Sequence, residues 1–250
     1  MDHCRNCGKP VQDLYCSHCG QKNHVDRITL TYLWQELFHF FTHIEHGFIF
    51  TSVKMLAAPG PSITEYVRGK RKSYQSPVSY FLVWTTIFLL TLFVFARTFG
   101  ENQVIDYKDY FGPGATTRFA ISHLSLVLTL IIPVQAFYLF ILVTRGQYNY
   151  FESLVAAIYA VGTIILLQFV FAVLAFIAFL LLGAPVDLRI SDTFKAAYLF
   201  WFIFSFLSAF DVSHKTVRGI AFCIAAAGTF LAWRLLAVPD LISLFLHSGH

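Results

Sequence analysis

Along the chain, large apolar residues first recur at helical spacing and then merge into long blocks. Leu30, Leu33, Trp34, Leu37, Phe41, Ile44 and Phe48 fall at three- and four-residue steps on one helical face. They define an amphipathic segment at about 28–58, too polar to cross a bilayer. From residue 77 the apolar blocks lengthen. A crossing takes about 20 apolar residues for about 30 Å of hydrocarbon. The pattern predicts five of them, at 77–99, 119–143, 153–182, 194–210 and 219–238. Helices are required, because lipid cannot satisfy open backbone groups. The third block exceeds one crossing and is expected to tilt, bend near Gly162 or run into the interface.

The expected fold is therefore an all-α polytopic membrane protein. It is divided into a cysteine-rich head at 1–23, an amphipathic juxtamembrane helix and basic connector at 24–76, and a multi-spanning domain at 77–250. Composition agrees: 57% of residues are hydrophobic and 13% charged, more apolar surface than a single water-soluble core can hide. A net charge of +4 is too small and too unevenly spread to point to nucleic acid. Arg68, Lys70, Arg71 and Lys72 gather just before the first span, which predicts a cytoplasmic N-terminus and contact with anionic headgroups. No apolar export segment precedes the head, so its cysteines are expected to remain in a reducing compartment.

Those cysteines form the sharpest motif. Residues 4–20 read CRNCGKPVQDLYCSHCG, two Cys-x-x-Cys-Gly turns separated by eight residues, the spacing of a zinc ribbon. Cys4, Cys7, Cys16 and Cys19 supply four thiolates to a tetrahedral ion, and Gly8 and Gly20 let the chain turn away after each second ligand. A closed four-sulfur set has no position for substrate, so the expected role of the zinc is structural. A pair of redox dithiols is the alternative, although the paired spacing and the following glycines fit a ribbon better, and iron in the same geometry is a further one. Cys223 stands alone in the last block as a small packing residue.

A second ligand set is conceivable. At 100° per residue Glu36, His39, His43 and His46 cluster on the polar face of the amphipathic helix. Imidazole and carboxylate suit zinc, iron or manganese. An interfacial helix whose histidines meet water and headgroups explains the same pattern.

From Arg27 to Pro77 the chain resembles a family of bacterial membrane proteins catalogued as domain of unknown function 3667. The resemblance is carried by His39, His43, Gly47, Thr51, Pro59, Gly60, Tyr66, Gly69, Lys70, Arg71, Tyr74 and Pro77; Pro61 and His46 depart from the pattern. It implies a cytoplasmic ribbon, a juxtamembrane helix and a multi-spanning domain in the bacterial inner membrane, adds weight to His39 and His43, and assigns no reaction.

Inside the spans Gln135, Gln168 and Arg234 are the main polar residues, and no Asp or Glu accompanies them, which disfavours a proton-coupled pump. Ala156 with Ala160, and Gly228 with Ala232, are spaced for close helix packing or an oligomer contact. Signatures of nucleotide hydrolysis and serine chemistry are missing. The expected function is a non-enzymatic interaction or scaffold module with a possible cytoplasmic protein partner. A transporter or lipid-handling protein is the alternative, and a histidine-ligated membrane metalloenzyme a third.

Overall fold

A computed structural model describes residues 2–40, 47–100, 103–106, 131–144, 146–187, 189–209 and 215–236, with the side chains of 36–40, 106, 189 and 229–236 outside that description. Among the described residues the chain is helical apart from two short strand pairs. Strand β1 (Asp2–His3) pairs antiparallel with β2 (Pro10–Val11) in the head, and β3 (Ile105–Asp106) pairs parallel with β4 (Val186–Asp187).

Three helices are described within the amphipathic segment and the connector. Helix α1 covers Leu30–Phe40, α2 covers Phe48–Ala57 and α3 covers Pro59–Val67. Pro59 does stop α2, since proline offers no N–H and clashes with the preceding turn. It also starts α3 at a position where the missing N–H costs nothing. The chain is thus helical up to Val67, just before the basic cluster.

Three helices are long and apolar enough to cross a membrane: α4 (Pro77–Phe99), α6 (Tyr150–Leu182) and Ile190–Ser208 within α7 (Arg189–Ser208). They match the first, third and fourth expected spans. Of the second expected span, 119–130 lies outside the described residues, and the rest belongs to a shorter apolar helix α5 (Ile131–Thr144), whose last turn, Leu139–Thr144, is π-helical. The fifth expected span corresponds to helix α8 (Lys215–Leu236).

Helices α4 and α6 run parallel. Tyr80 meets Tyr159, Phe95 meets Phe176 and Phe99 meets Phe179, at centroid separations of 5.7, 5.1 and 5.6 Å. The β3–β4 pair ties the chain together just beyond the far ends of both helices. Gly162 serves the packing of α4 on α6: a Cβ there would stand 2.9 Å from the Tyr80 ring. Helix α7 runs back, because Phe206 near its end contacts Tyr148 just before α6 begins. Ala156 and Ala160 are buried, in keeping with close helix packing.

Candidate metal centre

Each cysteine pair sits in the same tight turn. Gly8 N–H donates to Cys4 O and Cys4 N–H to Lys9 O; Gly20 N–H donates to Cys16 O and Cys16 N–H to Gln21 O, all at 2.8 Å. Gly8 and Gly20 adopt φ of 72° and 71°, the left-handed region that glycine enters without penalty. The two turns face one another. Cys4 Sγ lies 3.6 Å from Cys19 Sγ and Cys7 Sγ 3.6 Å from Cys16 Sγ, and one ligand atom from each of the four falls within 4.8 Å of the rest. Sulfurs about 2.3 Å from a tetrahedral ion stand about 3.8 Å apart, so this set can hold a metal ion.

The electrostatics of Cys16 and Cys7 differ. The backbone N–H groups of Cys19 and His18 lower the Cys16 thiol to about 7. At Cys7 the Lys9 amide also acts downward, but burial and the neighbouring thiols outweigh it and lift that thiol to about 11. Of these two, Cys16 is thus the thiolate more readily formed. Beyond the ligands the head has almost no core of its own, Val11 being the one other buried apolar residue packed with them. A segment so short draws its folding energy from a metal or from docking.

It has both. Asn6, between the first two cysteines, accepts at Oδ1 from Ser73 N (3.2 Å) and Ser73 Oγ (2.8 Å). Gln21, just past the second pair, accepts at Oε1 from Arg71 N (3.3 Å) and Lys72 N (3.0 Å). Arg5 donates to Arg68 O at 3.2 Å. Gly69, with φ of 109°, packs so near Arg5 and Val25 that an added Cβ would meet them at 3.1 and 3.3 Å. The two cysteine turns therefore grip the connector at 68–73 through polar residues adjoining the ligands.

The basic cluster is only partly turned outward. The Arg71 guanidinium donates to Asp26 O at 2.9 Å and lies over the Tyr32 ring, 4.6 Å from its centroid. Lys70 pairs with Glu65 at 2.8 Å, and Tyr74 donates to the same carboxylate at 2.8 Å. Lys70 holds the Glu65 carboxyl below its ordinary value. Arg68 and Lys72 are exposed. Of the expected headgroup contacts, Arg71 is thus committed within the protein and Lys70 to an ion pair.

Behind the connector the bundle is tied by buried hydroxyls and amides. Gln75 N donates to Thr51 Oγ1 at 2.8 Å, Tyr159 OH donates to Gln75 O at 2.6 Å, and Trp84 Nε1 donates to Ser52 Oγ at 3.1 Å. Residues 45–89 match the model of a family described as a protein of unknown function, DUF3667. No curated protein and no solved structure matches the chain. The DUF3667 stretch takes in α2, α3, the gripped connector and the first half of α4, while the cysteines lie ahead of it. Its glycines are explained by contact: a Cβ on Gly47 would sit 2.8 Å from Ser73 O, and one on Gly60 only 2.0 Å from Ser205 O.

The second ligand set is not brought into view. His43 and His46 lie outside the described residues, as do the side chains of Glu36 and His39 in α1. His39 and His43 also precede the DUF3667 match. Among the described residues the four cysteines form the one group able to hold a metal ion.

Sequence reasoning passed over a second attachment, made by the segment just after the head. Arg27 Nε and Nη2 reach Glu152 Oε1 and Oε2 at 3.0 and 2.7 Å, and Asn149 Nδ2 donates to Ile28 O at 3.1 Å. Asn149 and Glu152 form a capping box that opens α6. Their spacing, Asn-x-x-Glu before an apolar run, was the available signal.

Proposed function

We propose that this chain is a multi-pass membrane scaffold in which a zinc-stabilised ribbon fixes the connector against the bundle. The carrying observation is the double grip of Asn6 and Gln21 on the connector backbone. It gives a closed four-sulfur site a purpose that needs no substrate. Five crossings are supported by direction: α4 and α6 run the same way, so the chain between 106 and 150 has to return, and Gly219 in α8 packs near Leu207 at the end of α7. The basic connector puts the ribbon on the cytoplasmic side of a bacterial inner membrane, with Arg68 and Lys72 towards anionic headgroups. The three units are the ribbon at 1–23, the juxtamembrane helices and connector at 24–76, and the membrane domain at 77–250. Leu14 and Tyr15, 73% and 59% exposed on the ribbon, are the natural contact for a cytoplasmic protein partner.

The test is metal content with stability. Purified protein is expected to carry one zinc per chain, lost together with thermal stability in Cys4→Ser, Cys16→Ser. Two metals per chain, with one lost in His39→Ala, His43→Ala, would move the reading to the histidine-ligated alternative. Zinc-free protein of unchanged stability would refute the ribbon's role.

A second reading, transport or lipid handling, draws on the buried and unpartnered Oε1 atoms of Gln75, Gln135 and Gln168, since acceptors stranded in an apolar bundle call for a polar visitor. A solute flux or lipid phenotype abolished by Gln168→Leu would favour it; equal flux with and without the protein would reject it.

A further inference from the structure

Helices α2 and α3, at 10 and 9 residues, are each too short to cross a bilayer. Their partners nonetheless lie at increasing and then decreasing depth along the spans. Gly47, before α2, touches Ser73 in the connector. Ser52 is bonded by Trp84, seven residues or about 10 Å into α4. Leu56 O accepts from Trp201 Nε1 at 3.1 Å and Met55 O from Tyr198 OH at 3.3 Å. Those donors stand seven and ten residues before the end of α7 at Ser208, about 10 and 15 Å in at 1.5 Å per residue. The chain then turns. Gly60 N donates to Ser205 Oγ at 3.0 Å, nearer the same end, and Thr64 accepts from Tyr148 just outside α6.

The turn also solves a backbone problem. Pro59 has no N–H for Met55 O, and the N–H of Gly60, which would serve Leu56 O, is given to Ser205. Two of the carbonyls freed by the break, Met55 O and Leu56 O, are those that Tyr198 and Trp201 satisfy. Irregular backbone at membrane depth is tolerated where protein groups complete it in this way.

We infer that α2 and α3 form a re-entrant hairpin that dips from the ribbon side to about the middle of the bilayer, with the outer face of α2 in contact with lipid acyl chains. Ile49, Val53 and Leu56 on that face are 68%, 59% and 38% exposed. The face continues into exposed Phe200, Trp201 and Phe204 of α7, a helix apolar enough to span. A water-facing helix would not present such a row, and continuity with a span selects lipid as the occupant. The inference is independent of the metal.

The test uses full-length, metal-loaded protein in a Cys223→Ser background, reconstituted in phosphatidylcholine–phosphatidylglycerol vesicles. Spin labels are placed through Ile49→Cys, Val53→Cys and Leu56→Cys, with Arg68→Cys as the surface control and the parent protein as the labelling baseline. All three substitutions fall on exposed positions, so folding is preserved. The oxygen-to-nickel-chelate collision ratio is expected to rise from residue 49 to 56 and to exceed that at residue 68 severalfold at 53 and 56. Ratios equal to the control would put α2 in water, and low collision with both probes would put protein over it; either result overturns the inference.

Discussion

At the scale of single residues, glycines carry the sharpest consequences. Gly60 admits the backbone of α7 so closely that Gly60→Ala must part the hairpin from Ser205, and a loss of about 3 kcal/mol is expected from overpacking. Chemical denaturation in detergent measures it. At Gly8 nothing lies within 4 Å of an added Cβ, so Gly8→Ala is expected to cost only the left-handed strain of about 1–2 kcal/mol. Glu65 supplies a pH test. Its folded-state value is depressed by Lys70 and Tyr74 from an ordinary 4.5, so its contribution is present above that value and lost as pH falls through the lowered one. The stability gap between wild type and Glu65→Gln should shrink over that acid window and stay constant above it. Sequence alone made the four cysteines legible, because ligand spacing is local chemistry. It could not reveal Asn6 or Gln21, whose partners lie about 50 to 70 positions away.

At the scale of elements, apolar run length located the long helices, since a crossing is set by length and hydropathy. Their ends are finer matters. Block 153–182 understated α6, whose start is fixed by the Asn149–Glu152 capping box; Asn149→Ala is expected to cost about 1 kcal/mol and to loosen the segment at Ile28, read as faster proteolysis there. The juxtamembrane region was harder. Apolar periodicity ran through 30–48 as one helix; α1 is described over Leu30–Phe40 and α2 over Phe48–Ala57, and residues 41–46 lie outside the described residues. Leu33 is buried while Leu30 and Trp34 are exposed, so the apolar stripe does not map onto one covered face. Pro59 and Pro61 announced a break, but a return helix depends on Tyr198, Trp201 and Ser205, which no local window contains.

At the scale of the whole molecule, the N-terminal part of the chain is attached twice to one end of the bundle, the head through the connector and the segment after it through Arg27 and Ile28 at the start of α6. The match to residues 45–89 falls on the hairpin and connector caught between these attachments. On the proposed reading, a metal held by the four sulfurs would convert its binding into rigidity of the juxtamembrane layer. The most direct measurement is amide hydrogen exchange of the full chain in nanodiscs before and after metal is stripped by chelator. If the ribbon clasps the connector, the amides of Arg71, Lys72 and Ser73 should exchange at least tenfold faster without metal, a change of about 1.4 kcal/mol in local opening, while those within α4 and α6 keep their protection. Connector exchange that is unchanged by metal removal would contradict the account.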